Sequence, residues 1–357
     1  MTYQNYAAPS PEEHRLLRKH YFRLSWIMIT LVLIFSGLNT LIMNISAAIM
    51  GGGFSSECIN TGKELLRNDP VMSAIYSYGF PIAADIAALC IGLIVTGTDL
   101  KSKLHHTGLN GRGFLSATAV TFSVATFAAF INVFLIFIIM LAMGKLSDFS
   151  ADSVSAASIA PVGNPLWLDI IIYFYMCLLG PVLEELIFRG VLLEGLRKYG
   201  NLFGIIMSSV LFGLMHQNII QCIPAFAIGL VWGYIAVKSD SLIPSIILHI
   251  LNNTMSAVLM VLMESVDMDK LDDITAMLTA SLPFITVSMI IFLFRLVCII
   301  ASVVIAVKYF SKPHGKLVDS NVFTSNRTWK YFFTSAPWLI ITLYLCFTTV
   351  TSVSNIA

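Results

Sequence analysis

Long apolar stretches separated by short polar segments run along almost the whole chain. A helix that crosses a bilayer needs about 20 mostly apolar residues. Nine stretches reach or approach that length, at residues 22–48, 71–97, 114–143, 165–195, 201–216, 219–237, 241–263, 281–308 and 331–353. The fifth and sixth are short and separated only by the polar sequence HQN. The pattern predicts an all-α, polytopic transmembrane helix bundle of about eight or nine spans.

Lysine and arginine are unevenly distributed among the polar segments, which indicates how the chain is oriented. They are concentrated before the first stretch and after the second, fourth, sixth and eighth; the intervening segments are acidic or neutral, apart from residues 49–70. Because cytoplasmic loops carry the excess of positive charge, we expect the N-terminus inside and residues 1–21 as a cytoplasmic tail. The first stretch exceeds the roughly 7–15 apolar residues of a signal peptide, so we expect it to be retained as a helix.

The composition supports a membrane protein. Hydrophobic residues make up 57% of the chain and charged residues only 11%, whereas soluble domains carry about 25% charged residues. The net charge of +1 argues neither for nor against a nucleic-acid partner, but no basic stripe or RNA-binding motif is present, so we expect none. The six cysteines form no CxxC pair, which argues against a thiolate metal site or a disulfide framework. We therefore expect an integral, multi-pass membrane protein in contact with membrane lipids.

One apolar stretch contains charged residues in its interior: GPVLEELIFRG, residues 180–190. An ionisable side chain inside a span costs roughly 2.5–3.5 kcal/mol and is a functional hypothesis by default. Glu185 and Arg189 are four residues apart, so they share a helix face and can pair. Glu184 lies about 100° round the helix from Glu185 and is the freer carboxylate. We also expect Gly180–Pro181 to break or kink this helix.

Two later stretches carry a histidine and a second residue four positions away. Phe212 and His216 share one helix face, and His249 and Asn253 share another. At about 1.5 Å per residue from the cytoplasmic helix ends, Glu184, both histidines and Asn253 reach comparable depths. Each residue alone is compatible with a structural role, as an ion-pair clamp or an interhelical hydrogen bond. Together they are the groups needed to activate water.

Four motifs occur in order within this part of the chain. They are E-E-x-x-x-R at 184–189, F-x-x-x-H at 212–216, F-x-x-G-x-x-x-G at 226–233 and H-x-x-x-N at 249–253. Through these motifs the chain resembles the CAAX-protease and bacteriocin-processing (CPBP, or Abi) family of intramembrane proteases. It is similar to the type II CAAX prenyl endopeptidase over roughly residues 165–260.

The resemblance implies an endopeptidase that is embedded in a bacterial plasma membrane and cleaves a membrane-associated peptide or protein. It implies that Glu184, aided by His216, is the general base that takes a proton from water. His249 and Asn253 would stabilise the oxyanion. The remaining motif residues would orient Glu184 and hold the site together: Glu185, Arg189, Phe212, Gly229 and Gly233.

The same side chains are compatible with a second chemistry. Glu184, His216 and His249 would supply the ligand set of a catalytic zinc ion, with water in the fourth position. No H-E-x-x-H motif is present. The metalloprotease mechanism and the metal-free glutamate mechanism both stay open at this point, and we favour the second.

The resemblance leaves the flanking helices without an assigned role. It divides the chain into N-terminal helices (22–164), a catalytic core (165–260) and C-terminal helices (261–357). Two other functions stay open: a secondary transporter, with Asp85 and Arg295 in an ion path, and a non-catalytic membrane partner, as in bacteriocin self-immunity or a scaffold. Otherwise we expect Asp85 to hydrogen-bond to a neighbouring helix and Arg295 to pair with an acid.

Overall fold

The computed structural model describes residues 11–106, 108–144, 164–264, 274–311 and 332–352, and every regular element within these ranges is a helix. In chain order the helices are α1 (Pro11–Met50), α2 (Ser56–Asn68), α3 (Pro70–Thr96), α4 (Leu100–Lys103), α5 (Gly111–Ala142), α6 (Leu166–Leu196), α7 (Asn201–Met215), α8 (Ile219–Ser239), α9 (Ile243–Glu264), α10 (Ile274–Phe310) and α11 (Ala336–Thr351). The architecture is therefore all-α, as the apolar pattern predicts.

Seven of the helices in the described ranges are long and apolar enough to cross a membrane: α1, α3, α5, α6, α8, α9 and the Ser281–Lys308 part of α10. The apolar helices α7 and α11 contain 15 and 16 residues, which is less than the roughly 20 that a full span needs. The polytopic helical bundle is thus confirmed. The helices that form within the predicted stretches 201–216 and 331–353 are shorter than a full span. The inside location of the N-terminus stays a prediction, because several loops that carry the charge pattern lie outside the described residues.

The first helix begins well before the first apolar stretch. Residues 11–21, predicted as part of a cytoplasmic tail, form the first turns of α1. Leu17 and Tyr21 are fully buried there. The indole Nε1 of Trp338 in α11 donates a hydrogen bond of 2.9 Å to the carbonyl of Tyr21. The last described helix therefore packs against the beginning of the first one.

The helix α6 lies at the centre of the bundle. It contacts α3, α7, α8 and α9, and its second half is buried on several sides, at Ile187, Phe188, Val191 and Leu192. The surrounding medium is as apolar as these side chains, so this packing is stabilised mainly by van der Waals contact rather than by transfer out of lipid. Charged residues carried by α6 are thereby placed in the protein interior.

Two segments of α6 are π-helical, Tyr175–Leu179 and Leu186–Leu193. The backbone N–H of Gly180 bonds to the carbonyl of Tyr175, five residues earlier. Proline has no N–H to donate, and a widened turn is one way in which a helix accommodates such an interruption. The helix consequently continues through Gly180–Pro181 instead of breaking there. The two π segments flank the turn that carries Glu184 and Glu185.

Glycines allow close approach between α8 and α7. A Cβ atom at Gly229 would lie 3.1 Å from the Cβ of Ser209 and 3.2 Å from Nη2 of Arg189. A Cβ atom at Gly233 would lie 3.3 Å from Cγ2 of Ile205. These contacts are the close helix approach that the spacing of the two glycines predicts.

A cluster of ion pairs joins the ends of several helices. Nζ of Lys103 lies 3.4 Å from Oε1 of Glu194 and also pairs with Asp240. Nη1 of Arg197 lies 2.9 Å from the same Glu194 oxygen. Asp240 follows α8 in the left-handed backbone region, with φ of 51°. The cluster connects α4, the end of α6 and the end of α8 at one end of the bundle.

Candidate active site

The predicted pair of Glu185 and Arg189 is present and completely buried. Nη1 of Arg189 donates to Oε1 of Glu185 at 2.7 Å, and the two side chains are 1% and 0% exposed. The guanidinium lies over the ring of Phe212, with Cζ 4.2 Å from the ring centroid, which adds a cation–π contact. Because Phe212 belongs to α7, this contact links the ion pair of α6 to α7. Removing either partner of the buried pair would leave an uncompensated charge.

His249, on α9, lies between the two adjacent carboxylates of α6. Its Nδ1 is 3.2 Å from Oε1 of Glu185, and its Nε2 is 3.6 Å from Oε2 of Glu184. A carboxylate oxygen accepts, so Nδ1 carries the proton of that hydrogen bond. The imidazole ring packs against Trp232 with centroids 4.3 Å apart. One oxygen of Glu185 thus holds both Arg189 and His249.

Glu184 has a different environment from its neighbour Glu185. Its side chain is 26% exposed, whereas that of Glu185 is 0% exposed. Glu184 lines a cavity of about 410 Å³ that also contains His216. The described residues that line the cavity are Leu31, Phe35, Ser77, Tyr78, Pro81, Ala84, Asp85, Tyr175, Met176, Glu184, Phe188, Phe212, Met215, His216, Asn218 and Gln221. Glu184 is therefore the carboxylate of this pair that reaches accessible space.

His216 stands at the end of α7, where the chain reverses. Its Nδ1 is 2.9 Å from the carbonyl oxygen of Phe212. A carbonyl can only accept, so Nδ1 donates and Nε2 is left to accept a proton. The next residue, Gln217, has φ of 51°, and its Oε1 accepts a hydrogen bond of 2.9 Å from Ser36. This turn fixes the imidazole at the wall of the cavity.

Asn253 lies one turn beyond His249 on α9, but it does not line the cavity. Its Nδ2 donates to the carbonyl of Met176 at 3.1 Å. Met176 belongs to the first π segment of α6. Asn253 therefore joins α9 to α6 just before the turn that carries the carboxylates, and one of its two amide hydrogens stays available to another acceptor.

The predicted zinc ligands do not form a ready-made metal site. Among the residues that the structure describes, no three histidine, cysteine, aspartate or glutamate side chains converge closely enough to hold a metal ion. His249 turns one nitrogen to each carboxylate, while the described hydrogen bond of the His216 ring goes to the carbonyl of Phe212. The set Glu184, His216 and His249 therefore does not fit a zinc ion in this arrangement.

Two residues of the site, Trp232 and Tyr175, occupy no defined motif position in the sequence. Trp232 lies within the glycine motif, three positions after Gly229, so it shares a helix face with that glycine and packs on His249. Tyr175 lines the cavity from the first π segment of α6. Both are ordinary aromatic residues of an apolar stretch, so only their closeness in the chain to motif residues could have indicated that they belong to the site.

The two other intramembrane charges differ from expectation. Asp85 forms no hydrogen bond or ion pair with any described residue; it is 9% exposed and lines the cavity. The predicted hydrogen bond from Asp85 to a neighbouring helix is thus not present in the described part of the chain. Arg295 donates to the hydroxyl of Thr126 on α5 at 3.3 Å, where we expected an acid.

Comparison with known protein families identifies the segment that contains these residues. Residues 165–255 match a family model described as type II CAAX prenyl endopeptidase Rce1-like. We refer to residues 165–255 as the Rce1-like domain, after this similarity. The match spans about a quarter of the chain and confirms the resemblance given by the motifs. The Rce1-like family indicates a protease, and hence a peptide or protein substrate. No curated protein and no solved structure matches the chain.

The Rce1-like domain coincides with the centre of the bundle. It includes α6, α7, α8 and the first half of α9, and so contains both carboxylates, both histidines and the arginine of the site. The remaining cavity wall comes from α1 and α3, which lie outside the matched residues. Together with the apolar helices, the family match indicates an integral, multi-pass membrane protein with protease chemistry.

Proposed function

We propose that the protein is an intramembrane endopeptidase that hydrolyses a peptide bond in a membrane-associated peptide or protein, with water activated by Glu184 and His216. One observation carries the proposal: of the two adjacent carboxylates, Glu184 is the one that is not bound to Arg189 and that reaches the cavity. A general base needs this access to water and substrate. His216 lines the same cavity and keeps Nε2 as an acceptor.

The reaction begins with a water molecule between Glu184 and His216. Glu184 takes a proton from the water as the oxygen forms a bond to the peptide carbonyl carbon, which produces a tetrahedral intermediate with a negatively charged oxygen. The intermediate then collapses: the carbon–nitrogen bond breaks and Glu184 returns the proton to the leaving nitrogen. General acid–base catalysis of this kind contributes typically about 10²–10⁴-fold.

We assign the oxyanion to His249 and Asn253, as the resemblance implies, although neither is among the described residues that line the cavity in this arrangement. Nε2 of His249 lies 3.6 Å from Oε2 of Glu184, which places the imidazole beside the proposed base. The free amide hydrogen of Asn253 is the second donor, one turn away on α9. Preorganised donors of this type are each worth about 10²–10³ in rate.

The buried pair holds these groups in place. Glu185 accepts hydrogen bonds from both Arg189 and His249, so it fixes the imidazole relative to Glu184. Phe212 packs under the guanidinium and against His216. The role of Glu185, Arg189 and Phe212 is therefore to orient the catalytic side chains, as outer partners do in other enzymes.

A survey of peptide termini tests the proposal. Membranes and medium of cells that express the wild type are compared with those that express Glu184→Gln, His216→Ala or the control Glu57→Gln at equal abundance. Glu57 is exposed on α2, away from the cavity. We expect new peptide termini in the wild type and the control that are lost in both site variants. Identical termini in all four samples, with the variants folded, would overturn the proposal in favour of a transport or partner role.

Metal dependence is tested on the purified protein with a cleaved peptide from that survey. Because the three candidate zinc ligands do not converge, we expect hydrolysis to persist after treatment with a strong chelator and to show no increase on addition of Zn²⁺. Activity that disappears on chelation and returns in proportion to added zinc would contradict the metal-free mechanism. It would leave the endopeptidase assignment in place.

A further inference from the structure

A second carboxylate lines the same cavity as Glu184, and it comes from outside the Rce1-like domain. Asp85, on α3, is nine-tenths buried, with 9% exposure. It has no hydrogen bond or ion pair with any residue that the structure describes. Glu184 and Asp85 are the carboxylates among the described lining residues, which include no lysine or arginine. A buried carboxylate in a membrane protein is costly unless a cation or donor compensates it, and the described part of the chain supplies none.

The packing of α3 against α6 puts Asp85 at the level of Glu184. A Cβ atom at Gly92 would lie only 2.6 Å from Cγ1 of Val191, so the two helices touch there. The turn of α6 that carries Glu184 also contacts α3. Both carboxylates line the same cavity.

Two tyrosines share the cavity with Asp85. Tyr78 and Tyr175 both line the cavity, and their rings meet edge to face with centroids 5.9 Å apart. Other parts of the lining are apolar: Leu31, Phe35, Pro81, Phe188 and Met215. A carboxylate beside aromatic faces is the usual recognition element for an ammonium or guanidinium group. The apolar lining would accept the aliphatic or backbone part of the same ligand.

We propose that Asp85, with Tyr78 and Tyr175, binds a cationic group of the substrate peptide close to the scissile bond. Asp85 is then a residue that determines specificity, and the flanking helix α3 selects the substrates of the Rce1-like domain. The cation is the side chain of a lysine or arginine, or a free amino terminus. This inference rests on the proposed endopeptidase function, because it describes another part of the same cavity.

The test uses matched peptides that differ only in the cation. A peptide cleaved in a Glu184-dependent manner is resynthesised with each nearby lysine or arginine replaced by norleucine, and separately with its amino terminus acetylated. For the wild type, we expect one of these changes to lower kcat/KM by roughly tenfold to hundredfold, the usual worth of a hydrogen bond to a charged group. Asp85→Asn is expected to cleave the matched peptides at nearly equal rates. If the wild-type kcat/KM falls on norleucine substitution, the bound cation is a lysine or arginine side chain. If it falls on acetylation, the bound cation is the amino terminus.

Two further variants make the result specific. Asp85→Glu, which keeps the charge, is expected to retain part of the preference, and the control Glu57→Gln all of it. Where Asp85→Asn does not accumulate as a folded protein, Asp85→Ser takes its place. Equal cleavage of all peptides by the wild type would overturn the inference, and so would an undiminished preference in a folded Asp85→Asn or Asp85→Ser variant. An absence of Glu184-dependent cleavage would instead overturn the proposed function itself.

Discussion

At the scale of single residues, the adjacent carboxylates Glu184 and Glu185 have different surroundings. Consecutive residues of a helix point about 100° apart, so the two side chains meet different neighbours. Glu185 points to Arg189 and His249 and is fully buried. Glu184 points to the cavity and is partly exposed. A difference of one position along α6 thus separates a structural carboxylate from the proposed catalytic one.

Removal of each carboxylate is therefore expected to have a different effect. Glu184→Gln should leave the thermal unfolding of the purified protein nearly unchanged while lowering kcat by about 10²–10⁴-fold, because the general base is lost. Glu185→Gln should destabilise the fold by about 3–5 kcal/mol, because Arg189 is left as a buried charge without its partner. Thermal denaturation in detergent and single-turnover hydrolysis measure the two quantities. Equal loss of stability in both variants would contradict the assignment.

Replacing both members of the buried pair separates its structural role from its catalytic one. The double variant Glu185→Leu with Arg189→Met should be more stable than Glu185→Leu alone, because apolar residues of similar volume often substitute for a buried ion pair at little or no loss, or with a gain of about 1–4 kcal/mol. It should nevertheless remain inactive, since Nδ1 of His249 loses its acceptor. The same unfolding and hydrolysis assays apply. A double variant that regains wild-type turnover would show that Glu185 does not position His249.

At the scale of helices, the site depends on irregular turns and on close packing. The two π segments of α6 flank the carboxylates, and widened turns of this kind often occur at functional sites. Asn253 bonds to the carbonyl of Met176 within the first segment. On the other side of the site, Gly229 brings α8 against both α7 and the guanidinium of Arg189. The position of each proposed catalytic side chain thus depends on contacts made by its whole helix.

The close contact at Gly229 leads to a prediction about a single methyl group. Gly229→Ala should destabilise the protein by about 1–3 kcal/mol, the usual effect of overpacking, because its Cβ would lie 3.1 Å from Ser209 and 3.2 Å from Arg189. Gly37→Ala is the matched control, since no atom lies within 4 Å of a Cβ at that helical position. Thermal denaturation of both variants measures the difference. Similar melting temperatures for the two would contradict the packing of α8.

At the scale of the whole molecule, the cavity is shared between the Rce1-like domain and the helices before it. Leu31 and Phe35 come from α1, and Ser77, Tyr78 and Asp85 come from α3. The matched segment supplies the motif residues, but it does not supply this wall. The N-terminal helices, unassigned from the sequence, therefore have a defined place beside the site.

The shared cavity predicts that the matched segment does not function by itself. A fragment of residues 164–264 should hydrolyse a peptide substrate at least about 10²-fold more slowly than the full chain, because loss of the wall misplaces both water and substrate. The measurement compares kcat/KM of the two proteins in the same detergent, with circular dichroism as the check of helical content. Full activity of the fragment would show that α1 and α3 only complete the bundle.

The sequence by itself determined the class of fold and indicated the candidate site residues of α6 to α9. Apolar length alone predicts membrane helices, because the bilayer has a fixed thickness and every backbone group must be bonded within the helix. The spacing of four between Glu185 and Arg189 predicted their ion pair, which is a local contact within one helix. The motifs at 184–253 gave the family that the later match confirmed for residues 165–255.

Only the tertiary structure decided how the helices share the site. That His249 lies between two carboxylates, that Asn253 bonds to Met176, and that Asp85 lines the cavity of Glu184 all depend on contacts between helices far apart in the chain. Helical periodicity gives the face on which a residue lies, but it does not say which helix packs on that face. It is for this reason that Asp85 had no assigned partner in the sequence, and that its place beside Glu184 appeared only with the packing of α3 on α6.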